Sequence, residues 1–328
     1  MTEREKQPFR IAVLDDYQEV ALGLADWSAL PSTCRVRAYR DHLREEQAVA
    51  ERLAEFEAVV AMRERTPFTR SLLEKLPRLR LLVTTGMRNA AIDLAAASER
   101  GVVVCGTEGL PYPTAELTWA LILALARHVP KEDRAVRDGS WQTTLGVGLN
   151  GRTLGLLGLG RLGAQVARIG LAFGMETLAW SQNLTAERAA EVGARLVARD
   201  VLLQRADVLS IHLVLGERTR GLLGARELGL MKRTALLVNT SRGPIVDEAA
   251  LVHALSTGAI AGAGLDVFDI EPLPVDHPLL GAPNTVITPH LGYVTEDTYR
   301  IFYGQALENI QAYLRGAPTR VLSARAGS

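Results

Sequence analysis

Cysteine is scarce in this sequence, which has only Cys34 and Cys105 among 328 residues. Two cysteines cannot build a disulfide framework, and their positions match neither a metal-ligand set nor a redox pair. We therefore expect a protein of a reducing compartment, and the sequence predicts no metal site.

An excess of charge and long apolar runs are also missing. Lys+Arg and Asp+Glu both total 37, so no global field attracts nucleic acid or an anionic membrane, and we expect neither as a partner. The most apolar helical stretch, Ala115–Ala126, is too short to span a bilayer. The charged segment Met1–Arg10 has no apolar run typical of a secretory signal, which predicts a cytoplasmic location.

What the sequence does contain is an alternation of short apolar runs with longer helical patterns. This alternation predicts βαβ units, parallel sheets and an α/β fold. The predicted strands are Arg10–Leu14, Ala58–Met62, Leu81–Thr84, Val102–Val104, Thr153–Leu157, Glu176–Trp180, Val208–His212, Ala235–Asn239, Gly262–Val267 and Thr285–Thr288. The predicted helices include Ala48–Glu55, Arg70–Leu76, Leu162–Phe173 and Asp247–Ser256.

The length of 328 residues is too great for one typical core, so two domains are expected. Pro111 and Pro113 interrupt the chain before a long helix predicted at 114–128, and this turn marks a domain boundary. The apolar pattern of Thr295–Leu314 predicts a last helix that can cross back onto the first domain. The predicted domains are a discontinuous one, 1–109 with 292–328, and an inserted one, 110–291.

The segment Gly158-Leu159-Gly160-Arg161-Leu162-Gly163 lies between a predicted strand and a predicted helix. In such a turn the first glycine permits the bend, the second lets the backbone approach a pyrophosphate, and the third lets helix and strand pack closely. Amide groups at the helix start, together with the helix dipole, attract phosphate charge. The order of strand, motif and helix predicts a dinucleotide cofactor, NAD or NADP.

The strand after this helix ends without the acid that commonly binds the adenosine ribose. It ends in Ser181-Gln182-Asn183, and Ser181 and Asn183 are able to hydrogen-bond either a ribose or a 2′-phosphate. The missing acid removes a repulsion against that phosphate. However, no arginine follows until Arg188, so a guanidinium clamp is not assured. The choice between NAD and NADP stays open.

Three further side chains follow predicted strands, at the edge where open α/β sheets bind ligands. Reduction of a keto acid needs a cation for the carboxylate and a proton donor for the carbonyl oxygen. Arg242 offers a bidentate fork for the carboxylate, and the imidazole of His290 can act as acid or base. Glu271, if paired with His290, would favour the imidazolium form.

Four motifs, in order, resemble those of the D-isomer-specific 2-hydroxyacid dehydrogenase family, which includes glyoxylate/hydroxypyruvate reductases and phosphoglycerate dehydrogenases. The motifs are Gly155–Gly163, Leu236–Val246, Gly264–Pro272 and Thr288–Gly292. The resemblance implies a discontinuous flavodoxin-like substrate domain, an inserted NAD(P)-binding Rossmann domain, and a homodimer to which the helix near 114–128 contributes. It also implies hydride transfer between NAD(P)H and a small 2-keto or D-2-hydroxy acid.

The resemblance further implies roles for residues that match the family motifs. Arg242 would bind the substrate carboxylate and carbonyl, His290 would be the acid/base, and Glu271 would pair with it. Asp266 would lie beside the nicotinamide carboxamide, and Gly160–Leu162 would cradle the pyrophosphate. The other cofactor contacts that the resemblance implies are His212, Thr240 and Gly292.

The loop Thr84–Asn89 departs from the family pattern. The family usually has a second glycine in this loop, and the backbone amides of Gly86, Met87 and Arg88 would hold the substrate carboxylate. We hypothesise that the Arg88 side chain selects a second anionic or strongly polar group on the substrate; alternatively, it turns to solvent. Arg63, after another strand of the same domain, is a weaker candidate.

Two other functions fit the same motifs. One is a non-catalytic NAD(H)-sensing protein, because this scaffold also serves as a transcriptional corepressor. The other is a formate dehydrogenase-like enzyme, whose reaction removes no hydroxyl proton. The complete set of Arg242, Glu271 and His290 argues against a purely binding role, since a sensor needs no proton donor.

Overall fold

The computed structural model describes residues 7–323, and the chain divides into two compact units. The first unit combines the residues up to Leu110 with those from Thr295 onward, and the second spans Pro111–Val294. Each contains a parallel sheet with helices, so the predicted α/β class is confirmed. Within residues 7–323, none of the helices combines the length and the apolar character that a membrane crossing requires.

The first unit is built on a five-stranded parallel sheet. Its strands are β1 (Phe9–Val13), β2 (Cys34–Ala38), β3 (Ala58–Ala61), β4 (Leu81–Thr84) and β5 (Val103–Gly106). They lie in the order β2-β1-β3-β4-β5, which is the flavodoxin-like order. The helices between them are α1 (Glu46–Leu53), α2 (Arg70–Glu74) and α3 (Leu94–Glu99).

The second unit contains a seven-stranded parallel sheet. Its strands are β6 (Thr153–Leu157), β7 (Glu176–Trp180), β8 (Arg195–Leu196), β9 (Val208–Ile211), β10 (Leu236–Asn239), β11 (Gly262–Leu265) and β12 (Thr285–Ile287). Its helices are α4 (Pro113–Ala126), α5 (Val129–Arg137), α6 (Arg161–Ala172), α7 (Ala186–Ala190), α8 (Arg199–Arg205), α9 (Ala225–Leu230) and α10 (Glu248–Ser256). The sheet order is β12-β11-β10-β9-β6-β7-β8. The winding reverses between β6 and β9, the place where doubly wound sheets bind ligands.

The last helix, α11 (Glu296–Leu314), returns to the first unit. It buries three aromatic side chains, those of Tyr299, Phe302 and Tyr303. The buried Asn309 donates a hydrogen bond from Nδ2 to the carbonyl oxygen of Gly106 at the end of β5, at 2.8 Å. This contact joins the two chain segments of the first unit.

The sequence predicts neither β2 nor β8, and both are edge strands. In β2 the side chains of Arg35 and Arg37 are exposed while the residues between and beside them are more buried. Charged side chains are common on edge strands because they oppose pairing with another chain. They also break the apolar run by which a strand is predicted, and β8 has only two residues.

Candidate active site

The glycine-rich turn connects β6, which is buried along its whole length, to α6. Gly158 has a φ of +99°, and a Cβ there would lie 2.6 Å from the carbonyl oxygen of His212. A Cβ at Gly163 would lie 2.2 Å from the Gly158 oxygen. Both positions therefore need glycine, because the turn and the helix pack without room for a side chain.

The start of α6 is shaped to accept an anion. A Cβ at Gly160 would meet no atom within 4 Å, so the space in front of this residue is open. The first amide of the helix to be bonded is that of Ala164, which donates to the Gly160 oxygen at 2.9 Å. Within residues 7–323, the amides of Arg161, Leu162 and Gly163 make no hydrogen bond. Three unbonded amides at the positive end of a helix dipole fit a pyrophosphate.

A cavity of about 200 Å³ lies beyond the end of β7. Its polar lining comes from Ser181, Gln182 and Asn183 at the end of the strand and from Arg218 and Thr219 of the segment after β9. We refer to it as the β7 cavity. The structure thus brings together the three residues predicted near the adenosine ribose, and it adds an arginine 37 positions from Ser181.

His212 and Thr240 follow β9 and β10, two neighbouring strands. The Nε2 atom of His212 lies 2.9 Å from the Ser210 Oγ, and burial lowers the pKa of His212 to about 4. His212 is therefore neutral at physiological pH. The buried hydroxyl of Thr240 lies 2.8 Å from that of Thr118 on α4.

Arg242 lies in a turn that its neighbours hold in place. The Asn239 side chain accepts a hydrogen bond from the Ser241 amide at 3.0 Å and donates one to the Arg242 oxygen at 2.9 Å. A Cβ at Gly243 would lie 2.2 Å from the carbonyl carbon of Phe268. This close approach brings the turn that carries Arg242 against the segment that leads to Glu271.

Glu271 and His290 are paired, with His290 Nδ1 at 2.6 Å from Glu271 Oε2. The second carboxylate oxygen, Oε1, accepts the Phe268 amide at 2.9 Å. Burial on its own would raise the pKa of Glu271, but the hydrogen bond and charge of His290, the Phe268 amide and the charge of Arg242 together lower it. Glu271 is therefore ionised at neutral pH.

Asp266 holds the loop in which His290 lies. Its Oδ1 accepts hydrogen bonds from the Thr288 hydroxyl at 2.6 Å and the Leu291 amide at 2.7 Å, and its Oδ2 accepts the Gly292 amide at 2.9 Å. Burial raises the pKa of this carboxyl group despite those bonds. His290 itself has a φ of +55°. The carboxylate thus binds the Thr288 side chain before His290 and the backbone after it, and so holds a residue with an uncommon conformation.

In the first unit, the loop after β4 presents unbonded amides. The Gly86 amide already donates to the Thr107 Oγ1 at 2.9 Å. Within the described chain, the amides of Met87 and Arg88 make no hydrogen bond, and the exposed Arg88 side chain makes neither a hydrogen bond nor an ion pair. Of the three predicted carboxylate-binding amides, two are therefore unbonded.

The guanidinium group of Arg63 lies against this loop. Its Nη1 donates to the Thr85 oxygen at 3.3 Å. A Cβ at Gly86 would lie 1.8 Å from the same Nη1 atom of Arg63. The Arg63 backbone is also held, because its amide donates to the Thr85 Oγ1 at 2.9 Å and its oxygen accepts from Asn89 at 2.6 Å. The sequence made Arg88 the stronger candidate because it is a cation in a loop where the family usually has a second glycine.

Comparison with known proteins identifies relatives of this chain. A family model described as D-isomer specific 2-hydroxyacid dehydrogenase, NAD binding domain, matches residues 119–292. A glyoxylate reductase of Aeropyrum pernix is 46% identical over 255 residues, which cover 75% of this chain and 76% of that protein. A glyoxylate reductase of Korarchaeum cryptofilum is 39% identical over 82% of this chain and 83% of its own length. The crystal structure of a phosphoglycerate oxidoreductase from Vibrio cholerae matches with a TM-score of 0.90 at 40% identity, covering 94% of this chain and 100% of the other.

Proposed function

Because this chain belongs to the D-isomer specific 2-hydroxyacid dehydrogenase family, we propose that Arg242, Glu271 and His290 carry out its reaction. Family membership makes the protein an NAD(P)-dependent oxidoreductase of small 2-keto and D-2-hydroxy acids. The nicotinamide, when bound, supplies or accepts the hydride. The observation that carries the proposal is the 2.6 Å contact between His290 Nδ1 and Glu271 Oε2.

His290 is the proton donor in reduction and the proton acceptor in oxidation. Since its Nδ1 is directed to Glu271, its Nε2 is the atom that exchanges a proton with the substrate oxygen. The Phe268 amide fixes the Glu271 carboxylate, which in turn fixes the imidazole ring. Because Glu271 occupies Nδ1, the Nε2 atom is left to hold the proton that is transferred in reduction.

Arg242 binds the substrate carboxylate and carbonyl oxygen. A guanidinium group presents parallel N–H donors that match a carboxylate, and it keeps its charge at any physiological pH. The hydrogen bonds of Asn239 to the turn limit the positions that Arg242 can take. A cation held beside the carbonyl oxygen also stabilises the negative charge that develops there during hydride addition.

The cofactor is held by two groups of residues. Gly158 and Gly163 shape the turn. The pyrophosphate occupies the open space at Gly160 and is bound by the amides of Arg161, Leu162 and Gly163. The residues that would contact the nicotinamide half are His212, Thr240, Asp266 and Gly292. In support, Asp266 fixes the Gly292 amide, and His212 and Thr240 follow neighbouring strands at the carboxyl edge of the sheet.

The substrate is a small 2-keto acid such as glyoxylate or hydroxypyruvate, after the names of related reductases. The amides of Met87 and Arg88 bind its carboxylate, and Gly86 provides the turn. The Arg63 guanidinium, which lies against Gly86, adds the positive charge. This assignment gives the Arg88 side chain a smaller role than the sequence suggests.

A second copy of the chain covers the apolar segment after α4, which makes the protein a homodimer. Four apolar side chains between α5 and β6 or on α5 itself are strongly exposed in the single chain, namely Val129 (53%), Val136 (50%), Trp141 (77%) and Leu145 (92%). Exposed apolar patches of this kind mark interfaces. Replacing Trp141 and Leu145 together by serine is expected to yield monomers in light scattering, and an unchanged dimer would contradict the assignment.

The free, buried state of the two cysteines fits a cytoplasmic location. Both Cys34 and Cys105 are free and buried, and burial raises the pKa of Cys105 to about 11. A buried, protonated thiol is unreactive toward disulfide exchange. Such thiols suit a reducing compartment.

The test is oxidation of NADPH and of NADH, followed by nicotinamide absorbance, with glyoxylate, hydroxypyruvate, pyruvate, phenylpyruvate and oxaloacetate. Turnover of at least one keto acid is expected. Tight cofactor binding without turnover of any of them would contradict the proposed reaction and would favour the sensing role instead.

A further inference from the structure

The β7 cavity lies at the position where Rossmann domains bind the adenosine ribose. Ser181 stands 18 residues after Gly163, the last glycine of the turn, and directly after the strand that neighbours β6. An acid in this place binds the ribose hydroxyls of NAD, whereas an arginine nearby accommodates the 2′-phosphate of NADP. The residues that line the cavity therefore decide which cofactor the chain prefers.

No carboxylate lines the part of the cavity that the described residues form. The polar groups there are two hydroxyls, two side-chain amides and a guanidinium, which can donate hydrogen bonds to an anion. Glu187, the nearest acid along the chain after Asn183, lies on α7, where its own backbone amide and the Thr185 hydroxyl lower its pKa. It lies outside the cavity lining, so a 2′-phosphate, which carries a charge of about −1.5 to −2, meets no lining carboxylate.

Arg218 supplies a positive charge that no internal acid neutralises. Within residues 7–323, the side chains of Ser181, Asn183 and Arg218 make no hydrogen bond or ion pair with another residue. Arg199, another arginine of this unit, pairs instead with Glu227 at 3.4 Å. Arg188, the arginine nearest to Ser181 along the chain, is exposed and does not line the cavity.

The segment that carries Arg218 is ordered by its own hydrogen bonds. The Thr219 hydroxyl accepts the Gly216 amide at 2.9 Å and donates to the Val214 oxygen at 2.7 Å. The segment after β9 thereby forms a compact turn that contributes to the lining of the cavity. Arg218 is thus presented by a folded turn.

We propose that Ser181, Asn183 and Arg218 bind the 2′-phosphate of NADP(H), and that the enzyme prefers NADP(H) to NAD(H). This inference rests on the proposed pyrophosphate site at Gly158–Gly163, but not on the identity of the acid/base. Hydrogen bonds to a charged group change affinity by about ten- to a hundredfold, and the preference is expected to be of that size.

The test is calorimetric binding of two probes, adenosine 2′,5′-bisphosphate and adenosine 5′-monophosphate, to the full chain. The bisphosphate is expected to bind at least about tenfold more tightly. Arg218→Ala should remove most of this difference, because it weakens binding of the bisphosphate alone. The retained affinity for the monophosphate shows that the variant is folded. Ser181→Asp should also weaken binding of the bisphosphate, because the new carboxylate repels the 2′-phosphate. Arg188→Ala is the matched control and should leave both affinities unchanged.

Equal affinities of the wild-type chain for both probes would overturn the proposal. So would an Arg218→Ala variant that keeps the full difference, or an Arg188→Ala variant that loses it. Because no turnover is needed, this result is separate from that of the keto-acid assay. A chain that discriminates the probes but reduces no keto acid would contradict the proposed reaction alone.

Discussion

The acid/base pair and the β7 cavity, both in the second unit, differ in the number of internal partners that their polar side chains have. Glu271 uses one carboxylate oxygen for His290 and the other for the Phe268 amide. In the β7 cavity, by contrast, the side chains of Ser181 and Arg218 have no hydrogen-bond partner within residues 7–323. Groups that transfer a proton are held in one geometry before the substrate arrives, whereas groups that recognise a ligand leave their hydrogen bonds for that ligand to complete.

Apart from His290→Ala, the largest effect is expected from Arg242→Ala, which removes the cation proposed for the substrate carboxylate and carbonyl. Losing one partner of a desolvated charge pair lowers kcat/KM by roughly a hundred- to a thousandfold. Steady-state kinetics with the keto acid found in the panel measures this effect. The exposed Arg233→Ala is the matched control, and a similar loss in both variants would show that the Arg242 turn has no special role.

Asp266→Asn tests whether the loop that carries His290 must be held. Asparagine replaces one of the two carboxylate oxygens by an NH2 group, which cannot accept a hydrogen bond. At least one of the backbone amides of Leu291 and Gly292 therefore loses its acceptor. We expect kcat to fall about ten- to a hundredfold, as for other residues that orient a reacting group. The surface variant Asp276→Asn should be unaffected. Full activity of Asp266→Asn would show that the hydrogen bonds of Asp266 are not needed to hold His290 in place.

A smaller effect is expected from Arg63→Ala in the first unit. If its guanidinium adds charge to the Met87 and Arg88 amides, KM for the keto acid should rise about tenfold while kcat changes less. Arg88→Ala keeps the backbone amide and should raise KM less. The reverse order of the two variants would restore the original hypothesis that the Arg88 side chain selects the substrate.

The smallest expected effect concerns stability and pH. The pKa of Glu271 is lowered in the folded chain, so its ionised form stabilises the fold above the ordinary pKa of glutamate, about 4.3. That contribution is lost as the pH falls through the lowered value. Glu271→Gln should therefore be about 1–2 kcal/mol less stable than wild type at neutral pH, and the difference should shrink in acid.

Urea unfolding at neutral pH and at a pH of about 3.5 measures both differences. Glu296→Gln, at the exposed start of α11, is the control because this glutamate lies on the helix surface. A stability difference for Glu271→Gln that does not depend on pH would contradict the ionised pair.

The elements around the phosphate-binding turn were predictable because their signals are local. β6 and β7 have the predicted bounds, since each is a continuous run of buried or apolar residues closed by glycine or polar residues. The proximity of Glu271 and His290 followed from the rule that parallel strands end at one edge of the sheet. Their pairing was expected only from the family resemblance, because no local pattern records the turn that Asp266 holds.

Other features depend on contacts between distant segments, which no local pattern records. Arg218 reaches the β7 cavity from the segment after β9, so a search near Ser181 stops at Arg188 instead. In the same way, Arg63 comes to lie against Gly86 because β3 and β4 are neighbours in the sheet. Strand β2 was missed because its arginines interrupt the apolar pattern.

The most direct test of the account is His290→Ala, with cofactor affinity and kcat measured on the same preparation. General acid catalysis contributes about a hundred- to ten-thousandfold to the rate. We predict that the variant binds NADPH as wild type does, while kcat falls by a factor in that range. Near-normal turnover would contradict the role of His290, and with it the central claim that the paired histidine transfers the proton.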